Sequence, residues 1–116
     1  MQNPCIFCAI ANKLAPAEIL YEDDAYLAFR DIHPMAPVHI LIIPKKHIDS
    51  VNEAQAEDAE LLGNLILTAQ KVARDQNLAE KGFRLMINTG KDGGQTVPHI
   101  HIHFLGGKPH LPVQVG

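Results

Sequence analysis

His99-Ile100-His101-Ile102-His103-Phe104-Leu105 alternates polar and apolar residues without a break. In an extended strand, residues two apart share a face, so this pattern predicts a strand over 99–105. His99, His101 and His103 line one side, and Ile100, Ile102 and Phe104 enter the core. A row of this kind can be read as a metal site, as a solvated face, or as a row with divided duties. At about 3.3 Å per residue the outer pair would stand roughly 13 Å apart. One tetrahedral ion with bonds near 2 Å would hardly reach all three. A solvated face more often carries lysine, threonine or glutamate. The divided row is therefore favoured: a central neutral imidazole acts as nucleophile and its neighbours set proton positions.

Working outward, the loop Thr89–Val97 holds Gly90, Gly93 and Gly94, whose main-chain amides can approach an anion closely. Gln95 and Thr96 add side-chain donors. A glycine pair just before a histidine row points to phosphoryl rather than acyl chemistry. Phe83–Asn88 reads as a further strand. Leu61, Leu62, Leu65, Ile66, Ala69, Val72 and Ala73 recur at steps of three and four, which predicts an amphipathic helix. Ser50-Val-Asn-Glu53 fits a capping box at its start, with Asn52 as the alternative cap. Toward the N-terminus, Val38–Ile43 is a β-branched strand ended by Pro44 and buried on both faces. The segment Asp31–Pro37 is a loop with two prolines, and Ala17–Tyr21 and Tyr26–Arg30 flank an acidic turn. Cys5–Ala11 reads as one or two helical turns. About five strands, mostly consecutive, with one long and one short helix indicate an α+β domain with an antiparallel sheet. The 116 residues are expected to form a single domain over 1–116, with a core at about 5–107 and a tail at 108–116.

Composition narrows the function. Charged residues are 20% of the chain and the net charge is −3, so nothing supplies the basic excess that binding to nucleic acid or anionic lipid needs. No apolar run is long enough for a membrane span. The start, Met-Gln-Asn-Pro, lacks the positive charge of a secretory signal, so a cytoplasmic location is expected. Tryptophan is absent and aromatics are 5%, whereas histidine occurs seven times. His33 and His110 read as loop histidines without a role.

Cys5-Ile-Phe-Cys8 leaves three readings open: two small core residues on a short helix, a redox pair, or half of a zinc site completed by histidines from elsewhere.

The chain resembles the histidine-triad (HIT) superfamily over about residues 5 to 107. The alternating run His99–Leu105 matches its signature. Tyr21-Glu-Asp-Asp, Leu27–Ile32, Ala36-Pro-Val-His-Ile, Ile43-Pro-Lys-Lys-His47, Asn88, Asp92-Gly-Gly-Gln95 and Leu105-Gly-Gly107 look like its Hint branch, the purine nucleoside phosphoramidases. The resemblance implies a two-fold homodimer with the sheet continued across the interface. It also implies nucleotidyl transfer to a histidine, followed by hydrolysis of a purine nucleoside 5′-phosphoramidate. His101 would be the nucleophile, His103 would contact the phosphate, and His39 and His99 would belong to the same network. Thr96 stands where serine is usual, near the phosphate and leaving group. Asp31 would hold the ribose, and Asn88, Gly94 and Gln95 would shape the phosphate side. Phe7, Ile10, Phe29 and Ile32 would form the base slot. Some bacterial members bind zinc through such a cysteine pair, which implies the ligands Cys5, Cys8, His47 and His99 here. His33 replaces a common serine, Pro98 replaces a common aromatic, and the tail 108–116 lacks the tryptophan of eukaryotic members. Hydrolysis of dinucleoside polyphosphates is the alternative within enzymes. A nucleotide-binding regulatory module with incidental catalysis is the alternative outside them.

Overall fold

The computed structural model of the chain describes residues 5–109. Five strands, β1 (Ile19–Glu22), β2 (Tyr26–Arg30), β3 (Val38–Pro44), β4 (Arg84–Met86) and β5 (Ile102–Gly106), form one sheet in the order β1-β2-β3-β5-β4. Every neighbouring pair is antiparallel. The β1–β2 turn closes because the Asp23 carboxylate accepts the main-chain N–H groups of Ala25 and Tyr26, at 2.9 and 2.8 Å. This is the local bonding that makes aspartate a turn residue.

Both faces of the sheet are covered, and residue parity assigns each side chain to one of them. Tyr26, Ala28, Ile40, Ile42, Ile102 and Phe104 pack against Leu65, Ala69, Val72 and Ala73 of the long helix α2 (Ala59–Asp75). Leu27, Phe29, Leu41 and Ile43 pack against Phe7 and Ile10 of the short helix α1 (Ile6–Ala11). The central strand β3 is therefore apolar on both sides, and each such buried side chain is worth about 1.5–3 kcal/mol. His103 pairs with Leu41 and His39 with Leu105, so both histidines have the parity of the α1 face.

Three expectations need correction. The histidine strand starts at Ile102, not His99. β3 ends at Pro44, which has no N–H to offer a partner. The chain before Ile102 bonds elsewhere instead, with the Ile100 N–H donating to the Ile48 carbonyl at 2.7 Å. Ser50 is a cap, but of the 3-10 turn Val51–Glu53, through a bond from the Asn52 N–H. A second such turn, Ala56–Asp58, intervenes before α2 starts at Ala59. Ile66 is 51% exposed, because the buried stripe runs Leu65, Thr68, Ala69, Val72. Thr68 takes a core seat by returning its hydroxyl to the Asn64 carbonyl. His110 and most of the tail lie outside the described residues.

Candidate functional site

The break in the strand before Ile102 separates the three histidines by destination. His99, fully buried, turns toward the N-terminal helix. Its Nε2 lies 2.8 Å from the Pro44 carbonyl, which can only accept, so Nε2 carries the hydrogen and Nδ1 the lone pair. That lone pair faces Cys5 Sγ at 3.3 Å and Cys8 Sγ at 3.5 Å. His47 repeats the pattern from the other side. Its Nε2 meets the Asp49 carboxylate at 2.5 Å, and its Nδ1 stands 3.2 Å from Cys8 Sγ. Cys5 caps α1 by accepting the Cys8 N–H, which sets both sulfurs on one turn.

The four donor atoms lie within 4.8 Å of one another. A tetrahedral ion with Zn–S near 2.3 Å and Zn–N near 2.0 Å would separate sulfur from nitrogen by about 3.5 Å, which matches these contacts. Each imidazole also spends its remote N–H on a carbonyl or carboxylate, as metal-bound histidines do. Burial, then Cys5, push the Cys8 thiol up to about 11. A divalent cation would reverse that shift by favouring the thiolate. The group is built to hold a metal ion.

His101 is 3% exposed, and its Nδ1 lies 2.7 Å from the main-chain carbonyl of His99. The carbonyl fixes the hydrogen on Nδ1 and leaves a lone pair on Nε2. Phe7 meets this ring edge-on at 5.1 Å. The His103 Nδ1 lies 2.9 Å from His39 Nε2, and His39 Nδ1 accepts the Met35 N–H at 3.0 Å. The Asp31 carboxylate stands 3.3 Å from His39 Nε2 and accepts the His33 N–H at 2.8 Å. Burial holds His39, His99 and His101 below the ordinary 6.5. His103 is lowered to about 4, by burial first and then by His101 and His39. All are neutral at pH 7.

His101 and His103 open onto a cavity of about 430 Å³. Of the residues expected at a nucleotide site, it is lined by Phe7, Ile10, Phe29, Asp31, Ile32, Thr96, His101 and His103. Sequence reasoning missed Leu41, Val97 and Pro16 on its wall. The parity that faces Leu41 toward α1 was available once the β3 register was known, whereas Pro16 and Val97 lie in irregular segments with no periodic signal.

Asn88, Gly94 and Gln95 are not on the wall. The glycine-loop amides expected to face an anion are largely spent inside the loop: Gly90 N–H goes to Gln95 Oε1, Gly94 N–H to the Lys91 carbonyl and Gln95 N–H to the Gly90 carbonyl. The Gln95 amide group donates to the carbonyls of Asp49 and Val97 at 2.7 and 2.9 Å. Gln95 therefore pins the loop, and Asp49, the residue it holds, is also the one that orients His47.

Comparisons with known proteins bear on the chain as a whole. A HIT domain family model matches residues 12–110. The chain is 54% identical over 108 residues to an uncharacterised HIT-like protein of Synechococcus elongatus, covering 93% of this chain and 94% of that one. It is 48% identical over 113 residues to the purine nucleoside phosphoramidase of Escherichia coli K12, covering 97% and 95%. A crystal structure of a HIT family hydrolase from Legionella pneumophila superposes with a TM-score of 0.88 at 50% identity, covering 90% and 94%.

Proposed function

The chain belongs to the HIT domain family, and from that premise we propose that it hydrolyses purine nucleoside 5′-phosphoramidates through a nucleotidyl intermediate on His101. The observation that carries this reading is the bond from His101 Nδ1–H to the His99 carbonyl, which frees Nε2 as a neutral nucleophile in a ring that lines the cavity. The likeness to the E. coli phosphoramidase supports the substrate class.

In the first step the Nε2 lone pair of His101 bonds to phosphorus as the P–N bond breaks. The amine leaves with an added proton, since an amide anion is too poor a leaving group. The ring becomes cationic, and the His99 carbonyl stabilises the Nδ1–H through that change. In the second step water attacks phosphorus, the N–P bond to His101 breaks, and one water proton is released with the nucleoside monophosphate. His103 and the Thr96 hydroxyl would donate to phosphate oxygens and the departing nitrogen, with His39 supporting His103. Asp31 would accept from the ribose hydroxyls, and Phe7, Ile10, Phe29 and Ile32 would enclose the base. Asn88, Gly94 and Gln95 would act at one remove, by holding the loop that carries Thr96.

Cys5, Cys8, His47 and His99 would hold zinc. Bound there, the ion supplies structural ligation that ties α1 to the segment after β3. We also propose a cytoplasmic homodimer of a single domain over 1–116 with its core at about 5–107, and with the sheet continued past its β4 edge. The open edge and the exposed Ile66, Leu67 and Ile87 support this. Among the described residues, no helix is long and apolar enough to cross a membrane.

Turnover of an adenosine phosphoramidate, measured beside a diadenosine polyphosphate, tests the reading. Preferred cleavage of the phosphoramidate is expected. Preferred cleavage of the polyphosphate would favour the alternative hydrolase, and tight binding without turnover of either would favour a binding module.

A further inference from the structure

His39 lies buried on β3, and its two ring nitrogens meet groups of unlike kind. Nδ1 is 3.0 Å from the main-chain N–H of Met35, in the loop between β2 and β3. Nε2 is 2.9 Å from His103 Nδ1 and 3.3 Å from Asp31 Oδ2. A main-chain amide can only donate, so Nδ1 of His39 must present its lone pair, and the one hydrogen of the neutral ring sits on Nε2. That hydrogen is offered to His103 Nδ1, which therefore accepts and leaves the His103 hydrogen on Nε2.

We propose that the main-chain N–H of Met35 is a positioning group that fixes, through His39, the tautomer in which His103 presents an Nε2–H to the cavity. The use to which this donor is put, binding a phosphate oxygen, rests on the phosphoramidase reading. The tautomers do not.

Two consequences follow from the lock. Asp31, His39 and His103 bring ligand atoms within 4.8 Å of one another, as a metal site would. A ring whose Nδ1 is held by an amide cannot also offer a lone pair from Nε2, so this group is a hydrogen-bonded chain and not a ligand set. Nor is neutral His103 a proton source for the leaving amine. Surrendering the Nε2 hydrogen would leave an imidazolate, and drawing the hydrogen of His39 would only move that anion one ring back. His103 acts as a fixed donor, and the proton on the departing amine must come from solvent, with the Thr96 hydroxyl able only to relay it from water. The loop that supplies the Met35 amide also brings Asp31 and Ile32 to the cavity wall. Its Asp31 carboxylate is tied to its own His33 N–H. The loop conformation that forms the substrate wall is thus the one that sets the proton positions.

The test is a long-range proton–nitrogen correlation spectrum of the ¹⁵N-histidine-labelled protein, which reports which ring nitrogen carries hydrogen. His39 and His103 are expected to carry it on Nε2 alone, and Met35→Ala, which keeps the amide, should retain both assignments. Met35→Pro removes the donor. In folded protein it should change the His39 and His103 signals and lower kcat/KM relative to Met35→Ala by about a hundredfold, the cost of losing one oxyanion donor. Hydrogen on His39 Nδ1 in the wild type, or unchanged tautomers in folded Met35→Pro, would overturn the proposal. Should Met35→Pro not fold, the wild-type and Met35→Ala spectra decide. Loss of turnover with the predicted tautomers intact would count against the substrate reading and not against the lock.

Discussion

The Nδ1–H of His101 is held at 2.7 Å by the main-chain carbonyl of His99, whose own side chain faces the two cysteines. One residue thus serves two sites: its imidazole completes a metal-ligand group, and its backbone orients His101, the proposed nucleophile. The two histidines are adjacent in the row yet point to different chemistry, because the chain leaves the sheet between them and β5.

The pH dependence of activity follows from burial. His101 is held below 6.5 by desolvation, so its neutral, nucleophilic form persists below the ordinary histidine range. Between pH 8 and 6.5, kcat/KM should be flat, with an acid limb only below that range. An acid limb centred at or above 6.5 would contradict the assignment.

Stability should fall on acidification in the same region. His39, His101 and His103 have folded-state pKa values below the unfolded value of 6.5, and that of His103 is about 4. Between those limits the unfolded chain binds more protons, so stability rises with pH there. The contribution is fully present above 6.5 and is lost as pH falls toward 4. Urea midpoints measured at pH 7.5 and 5 should show the loss, and His103→Gln should reduce it.

Gln95 offers a sharper contrast between substitutions. Gln95→Ala removes three hydrogen bonds and should cost about 1–3 kcal/mol. Gln95→Glu should cost more, because a carboxylate would face the carbonyls of Asp49 and Val97. Equal or smaller loss in Gln95→Glu, by denaturant titration, would show that the amide is not donating to them.

Protein purified without chelator should contain one zinc per chain, bound by Cys5, Cys8, His47 and His99. Its removal should lower the melting temperature, because ligation is folding free energy. Catalysis at low temperature should fall less, since no step touches the ion. Absence of zinc, together with an unchanged melting temperature in Cys5→Ser/Cys8→Ser, would make the cysteines core residues.

Sedimentation should give a homodimer at micromolar concentration. A stable, fully active monomer would contradict the proposed continuation of the sheet at β4.

Much of the fold was legible because the signals were local. β2 occupies Tyr26–Arg30 as read, bounded by a turn that Asp23 closes with its own carboxylate. The cysteine pair and the two histidines were legible only through family resemblance, since His47 and His99 meet Cys5 and Cys8 from distant parts of the chain. What the sequence hid was non-local. The late start of β5 depends on Pro44 and Ile48, more than fifty residues upstream. Ser50 has the chemistry of a cap, but nothing nearby in the chain tells a 3-10 turn from the first turn of α2. Gln95 looked like a substrate donor because its partners, Asp49 and Val97, are main-chain carbonyls that any residue could supply.

The claim on which the account turns is that His101 accepts the nucleotidyl group. His101→Ala should lower turnover on the order of 10⁴-fold or more while nucleoside monophosphate binding survives. The most direct measurement is acid-free trapping of the enzyme during turnover of an adenosine phosphoramidate, followed by peptide mass spectrometry. An adenylyl group on His101, labile to acid, is the predicted result. The same group on His99, His103 or any other residue, or its formation undiminished in His101→Ala, would contradict the mechanism.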